Sequence, residues 1–157
     1  MGQVHQLQSS EPPFGLLAAG RLIAKAFAPW VQDLALLVES VETTRPDSAP
    51  VDWQPGAVVR LPYSPKICSD DEVICSQALM ALADAAMAVA CSAAWNGYRP
   101  MSTIDQTTHF LRPAKFDLLA DARILRIGRS TSFGRVTILG AADMRPVGTV
   151  ASAYAML

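Results

Sequence analysis

The chain has few of the residues that cross-link a protein through covalent bonds or metals. It holds three cysteines, Cys68, Cys75 and Cys91. Their odd number and unpaired spacing predict neither a disulfide framework nor a zinc site, and they read as reduced thiols. Histidine is scarcer still, with only His5 and His109. No Ser or Cys stands at a recognisable triad spacing from His109, which reads as a structural strand residue, and His5 falls in a polar tail. Charged residues make up 17% of the chain and sum to −1, which argues against general affinity for nucleic acid. The first residues, MGQVHQLQSSE, are polar, and the apolar ones after them are soon interrupted by Arg21 and Lys25. Neither a signal peptide nor a membrane span is therefore expected, and the expected location is the cytoplasm.

What is present is mostly apolar, at 51% of the 157 residues. That length is most simply one domain, able to bury roughly two-thirds of the surface its unfolded chain exposes. The slight apolar surplus hints at a subunit interface. Charge is placed unevenly: residues 1–100 carry six basic and ten acidic side chains, residues 101–157 seven and four. A basic C-terminal part has the capacity to hold an anion, although scattered solvated arginines explain it as well.

The chain is organised around Val73 to Tyr98, VICSQALMALADAAMAVACSAAWNGY, in which Asp84 is the only charged residue. An ionised carboxylate in apolar surroundings is costly unless it is paired or its pKa shifts, so Asp84 is the leading catalytic candidate. The bland alternative is a buried hydrogen-bonding residue. Ser76 is a plausible N-cap for a helix of about five turns, apolar on every side, which Asn96 and Gly97 could end through a left-handed cap.

Before this helix, residues 1–13 read as a flexible tail and Phe14 to Ala28 as a helix. Leu16, Leu17, Ile23 and Phe27 share its broad apolar face, Arg21 and Lys25 mark its wet side, and Pro29 ends or kinks it. Strands are predicted at about Ala35 to Thr43 and again after Gly56, in AVVRLPYS, with a proline-rich loop between them. From Met101 the period changes to two, with Ile104, Gln106, Thr108 and Phe110 sharing one face before Pro113 stops the strand. Leu119 to Ile127, Phe133 to Leu139 and Val147 to Ala155 follow as strands joined by short turns. Consecutive short connections imply an antiparallel sheet, and one apolar helix beside six strands suggests a sheet wrapped around it. The predicted organisation is a domain over 14–157, with a helix at 14–28 and a core at 35–157.

Several stretches in this order resemble the hotdog-fold acyl-CoA thioesterases, especially the group related to phenylacetate-pathway thioesterases. They are VVRLPYSP; Leu82-Ala83-Asp84 followed by Ala85-Ala86-Met87; Phe110-Leu111-Arg112-Pro113-Ala114; and Ile124 to Ser130 before Phe133-Gly134. The resemblance covers about residues 56–156. It implies an α+β hotdog fold, an antiparallel six-stranded sheet wrapped around a long central helix, with an extra N-terminal helix. It also implies dimers joined edge to edge and hydrolysis of acyl-CoA at the subunit interface.

By that resemblance Asp84 is the general base for water or the nucleophile, a choice the sequence leaves open. The backbone N–H matching the family's carbonyl-polarising donor belongs to Ser76, at a helix start where unsatisfied donors and partial positive charge suit an oxyanion. The usual His-Gly-Gly is replaced by Cys75, Ser76 and Gln77, and Ser69 stands where an Asn or Gln is common. Cys75 and Cys91 read more readily as small core residues than as nucleophiles. Arg112, Lys115, Arg126, Arg129 and Arg135 lie near strand ends or turns, and of these Arg129 is the best single choice for a CoA phosphate contact.

The expected protein is a cytoplasmic homodimer or homotetramer that takes acyl-CoA as substrate, with no metal, other cofactor, nucleic acid or membrane partner. A non-catalytic acyl-ligand binder of the same fold is the alternative. A hydratase of this fold would normally carry an Asp-His pair near the helix start, and no such His stands there.

Overall fold

A computed structural model describes residues 13–157. The tail expected at 1–13, apart from Pro13, and His5 with it, lie outside the described residues. Two helices, α1 (Leu16–Ala26) and α2 (Pro29–Gln32), precede strands β1 (Leu37–Glu42) and β2 (Gly56–Leu61). After a 3-10 turn at Pro65–Ile67 come α3 (Ser76–Ala94) and the strands β3 (Met101–Phe110), β4 (Leu118–Ile127), β5 (Thr131–Gly140) and β6 (Pro146–Met156). The six strands form one sheet in the order β1-β2-β4-β5-β6-β3, antiparallel at every pairing.

The expected order of elements is present, with local corrections. Pro29 ends the first helix by starting a second, because its fixed φ suits a first helical position. Leu16 and Leu17 are exposed, and α1 buries Ala19 and Leu22 alongside the expected Ile23. The first strand is shorter than Ala35 to Thr43, since Ala35 takes a left-handed φ of 53° before extended structure begins. Ser76 is not the N-cap of α3. That position falls on Cys75, which makes no side-chain cap, and Ser76 is the first helical residue.

The left-handed cap at the other end is present. Asn96 adopts φ 55°, and the amides of Asn96 and Gly97 donate to Ala93 O at 3.1 Å and Ser92 O at 2.8 Å, closing the last turn. Asn96 Oδ1 also accepts from the Phe14 amide at 2.7 Å, tying the entry of α1 to the exit of α3.

α3 is long and apolar enough to cross a membrane by length and composition, but most of it is buried as the core helix of the sheet. Its alanines let β2 and β4 approach closely: Ala83, Ala85, Ala86 and Ala90 are fully buried, as are Ala57, Val59, Leu61, Ala120 and Ala122 opposite. β5 also comes close at Gly134, where an added Cβ would lie 2.5 Å from the Met87 sulfur and 2.8 Å from the Arg123 carbonyl oxygen.

The helix is not covered on every side. Gln77, Met80, Ala81 and Asp84 recur at helical spacing, and each is exposed or half-buried. β3 explains the gap. It is an edge strand paired only with β6, with a bulge between Thr103 and Asp105, and it is largely exposed on both faces. Ile104 and Phe110 are therefore at the surface.

Candidate active site

Asp84 sits in the middle of α3 on the uncovered stripe. Its carboxylate is partnered: Oδ1 accepts from Tyr154 Oη at 2.7 Å and from Thr103 Oγ1 at 2.8 Å. Among the described residues every hydrogen bond to the carboxylate reaches Oδ1, and Oδ2 accepts none. Tyr154 is 2% exposed. Burial, and after it the nearby Asp84 charge, push its phenol far above the ordinary range, so it stays a neutral donor. This answers the cost of a lone carboxylate among apolar residues, because two hydroxyls replace the water it loses.

Two cavities meet at this carboxylate. One of about 410 Å³ is walled by Phe27, Trp30, Met80 and Gln106, with Gln77, Asp84 and Thr103 also lining it. The other, of about 90 Å³, lies between Leu22 and Ala26 of α1 and Tyr98, Met101 and Tyr154, again with Asp84 and Thr103. The Gln106 side chain is fixed by donating to Met80 O at 3.0 Å. The walls are mainly apolar, with few polar groups converging on Asp84, as is usual for a small-molecule site.

The other predicted site residues are dispersed. Gln77 shares the larger cavity with Asp84. Ser76 faces a different one of about 340 Å³, lined with Leu79, Phe110, Leu111 and Arg112. Eight residues of α-helix separate Ser76 from Asp84, about 12 Å along the axis, so the two cannot act on one carbonyl within a single chain. Cys75 is half-buried at the cap. Ser69 is engaged in its own turn, its hydroxyl donating to Asp71 and Val73 O. Arg129 lies in the β4–β5 turn and borders neither Asp84 cavity.

The remaining cations divide similarly. Arg112 is held by Asp143 and by the carbonyls of Arg145 and Pro146. Lys115 lies 3.9 Å from Glu72, and Arg135 borders a polar cavity beside Arg123 and Trp53. Cys91 is fully buried, and desolvation followed by the Asp84 charge pushes its thiol up to about 12, which makes it inert.

Sequence reasoning missed Thr103, Tyr154, Gln106 and Trp30. Thr103 and Tyr154 are cross-strand partners between β3 and β6. A lone tyrosine in the strand segment ASAYAM, flanked by alanines, is the one available signal, since a buried phenol needs a hydrogen-bond partner.

Residues 78–146 match the model of the Thioesterase superfamily. The matched range includes Asp84 and Arg129 and begins after Ser69, Cys75, Ser76 and Gln77. No curated protein matches the chain. Among solved structures, the E. coli PaaI protein from the phenylacetic acid degradation operon is 20% identical, with a TM-score of 0.69 over 90% of this chain and 96% of its own. Zebrafish thioesterase superfamily member 2 is 17% identical, with a TM-score of 0.71 over 90% and 98%. A Pseudomonas aeruginosa protein is 23% identical, with a TM-score of 0.72 over 90% and 99%. The antiparallel six-stranded sheet around α3, with a helix before it, is the hotdog fold of the thioesterase-superfamily structures.

Proposed function

We propose that this chain is a thioesterase of that superfamily which hydrolyses acyl-CoA, with Asp84 as its reacting carboxylate. The observation that carries the reading is the placement of Asp84: it stands where two cavities meet, fixed through Oδ1 by two hydroxyls while Oδ2 remains for a reactant. As general base, Asp84 takes a proton from water as the oxygen adds to the thioester carbonyl. The C–S bond then breaks and the thiol leaves with a proton. As nucleophile, Asp84 forms an acyl-enzyme anhydride with loss of the thiol, and water then hydrolyses it.

The oxyanion needs donors that Asp84 cannot supply. The Ser76 amide at the start of α3 fits that role, but only from a second copy, because about 12 Å of helix lies between the two groups in one chain. The exposed β3 edge, with Ile104 and Phe110 on it, suits such pairing. The reading is therefore of a cytoplasmic homodimer or homotetramer that needs neither metal nor redox cofactor. Of Ser69, Cys75, Gln77 and Arg129, the residues expected at the substrate, Gln77 borders the Asp84 cavity and is the one we assign to contact there.

A second reading, an acyl-ligand binder without turnover, is favoured by Cys75-Ser76-Gln77 standing where His-Gly-Gly is usual. Release of free thiol from short, long and aromatic acyl-CoAs decides between the two. Turnover that disappears in Asp84→Ala supports the enzyme, and equal rates remove Asp84 from the mechanism. Tight binding without turnover supports the binder.

A further inference from the structure

From the cavities along α1 we infer that the CoA moiety lies there, with its phosphates on Arg21 and Lys25, while the acyl group occupies the chamber under α2. The inference rests on the reading that a thioester is bound at Asp84. The small cavity beside Asp84 shares Leu22, Ala26 and Tyr98 with an outer cavity of about 500 Å³. Arg21 and Lys25 stand at that outer cavity. Three spaces thus share walls in succession: an outer chamber with two cations, a narrow space of about 90 Å³ that we take as a neck, and, sharing Asp84 and Thr103 with it, a chamber of about 410 Å³ walled by Phe27, Trp30 and Met80.

A thioester has the matching plan. Two arms leave its carbonyl in opposite directions, one apolar in an ordinary acyl group, the other slender and ending in phosphates. The apolar arm suits the chamber of aromatic and thioether side chains, which contains no cation. The linear cysteamine and β-alanine part of the carrier arm suits the neck, and the phosphates beyond it meet the two cations. Arg21 and Lys25, four residues apart on one face of α1, repel each other mildly, and neither forms an ion pair among the described residues. An anion between them removes that repulsion and gains charge-assisted hydrogen bonds. Arg129, the cation favoured on sequence, borders none of these spaces.

The test measures dissociation constants for a non-hydrolysable thioether analogue of an acyl-CoA and for the matching pantetheine thioether, which lacks the nucleotide. Arg21→Gln/Lys25→Gln is expected to weaken the CoA ligand about tenfold, to leave the pantetheine ligand unchanged and to flatten the salt dependence of the former. Arg145→Gln, an exposed cation remote from α1, should change neither. Equal affinities for wild type and double variant overturn the inference, as does an equal loss for both ligands with an unchanged melting temperature. A loss that instead follows a carboxylate added to the far end of the acyl group, on either carrier, also overturns it by reversing the two arms. Because binding is read without turnover, failure of hydrolysis leaves this result standing, and thiol release from Asp84→Asn examines that reading separately.

Discussion

α3 has two unlike sides. Toward β2 and β4 it is sealed: Leu82, Ala83, Ala86, Val89 and Ala90 are fully buried against Ala57, Val59, Leu61, Leu118 and Ala120. Toward β3, α1 and α2 it is loosely covered, with Met80 and Trp30 exposed and cavities on either side of Asp84. The sealed side is alanine-rich because a close sheet leaves no room for larger residues, and dense packing there supplies stability. The open side gives up part of that packing and gains a polar group within reach of solvent. Substitutions on the two sides should therefore separate stability from chemistry.

The largest effect on the sealed side is expected from Leu82→Ala. Removing a fully buried leucine should cost about 2–5 kcal/mol in a denaturant titration, since the rigid sheet can collapse only partly into the space. On the open side, Asp84→Asn keeps the shape and an acceptor for Tyr154 and Thr103. Stability should change little while thiol release falls by about a hundredfold or more. If both substitutions cost equal stability and spare turnover, the contrast between the two sides fails. Tyr154→Phe lies between them: it removes the donor 2.7 Å from Asp84 without leaving a buried hydroxyl unpaired. About 1 kcal/mol of stability should be lost, with a fall in kcat that exceeds any change in KM, because the carboxylate is left on Thr103 alone.

The sealed side was legible in the sequence and the open side was not. Hydrophobic period, prolines and the Ala-rich run of α3 report local backbone preference and one-body burial, which is enough for the element order and the wrapped sheet. They do not report which edge of the sheet remains free. Ile104 and Phe110 alternate as inward residues do, yet β3 runs past the helix and leaves both exposed. Asp84 was found because a charge in an apolar run is a local anomaly. Tyr154 and Thr103, 70 and 19 residues away along the chain, could be joined to it only by strand register. Arg21 and Lys25 read as the wet face of α1, which they are, and only the packing of that helix beside Tyr98 places a cavity next to them.

Cysteine chemistry offers a smaller and sharper version of the same contrast. Cys68 and Cys75 are half-exposed while Cys91 is fully buried, so a thiol reagent at pH 8 should modify the first two in the native protein and the third only after unfolding. Rapid native reaction of all three would mean that α3 is less sealed than its packing indicates.

The smallest effect should come from the sheet edge remote from Asp84, where Glu42 of β1 and Arg123 of β4 reach each other across Gly56 of β2. Arg123 donates to both carboxylate oxygens of Glu42 and to Asp121. These hydrogen bonds, and the guanidinium charge after them, hold the Glu42 carboxyl below its ordinary value of 4.5. A depressed folded-state pKa stabilises the fold above the unfolded value, and the contribution is lost as pH falls through the folded one. The loss should begin below about pH 4.5 and be modest, because the pair is partly solvated. Glu42→Gln should remove that part of the acid dependence while leaving the pH profile of thiol release unchanged, since Glu42 borders a cavity with Asp52, Trp53 and Arg135 that does not include Asp84. A profile that shifts with Glu42→Gln would show that the two regions are coupled through the sheet and would remove the separation on which the other predictions depend.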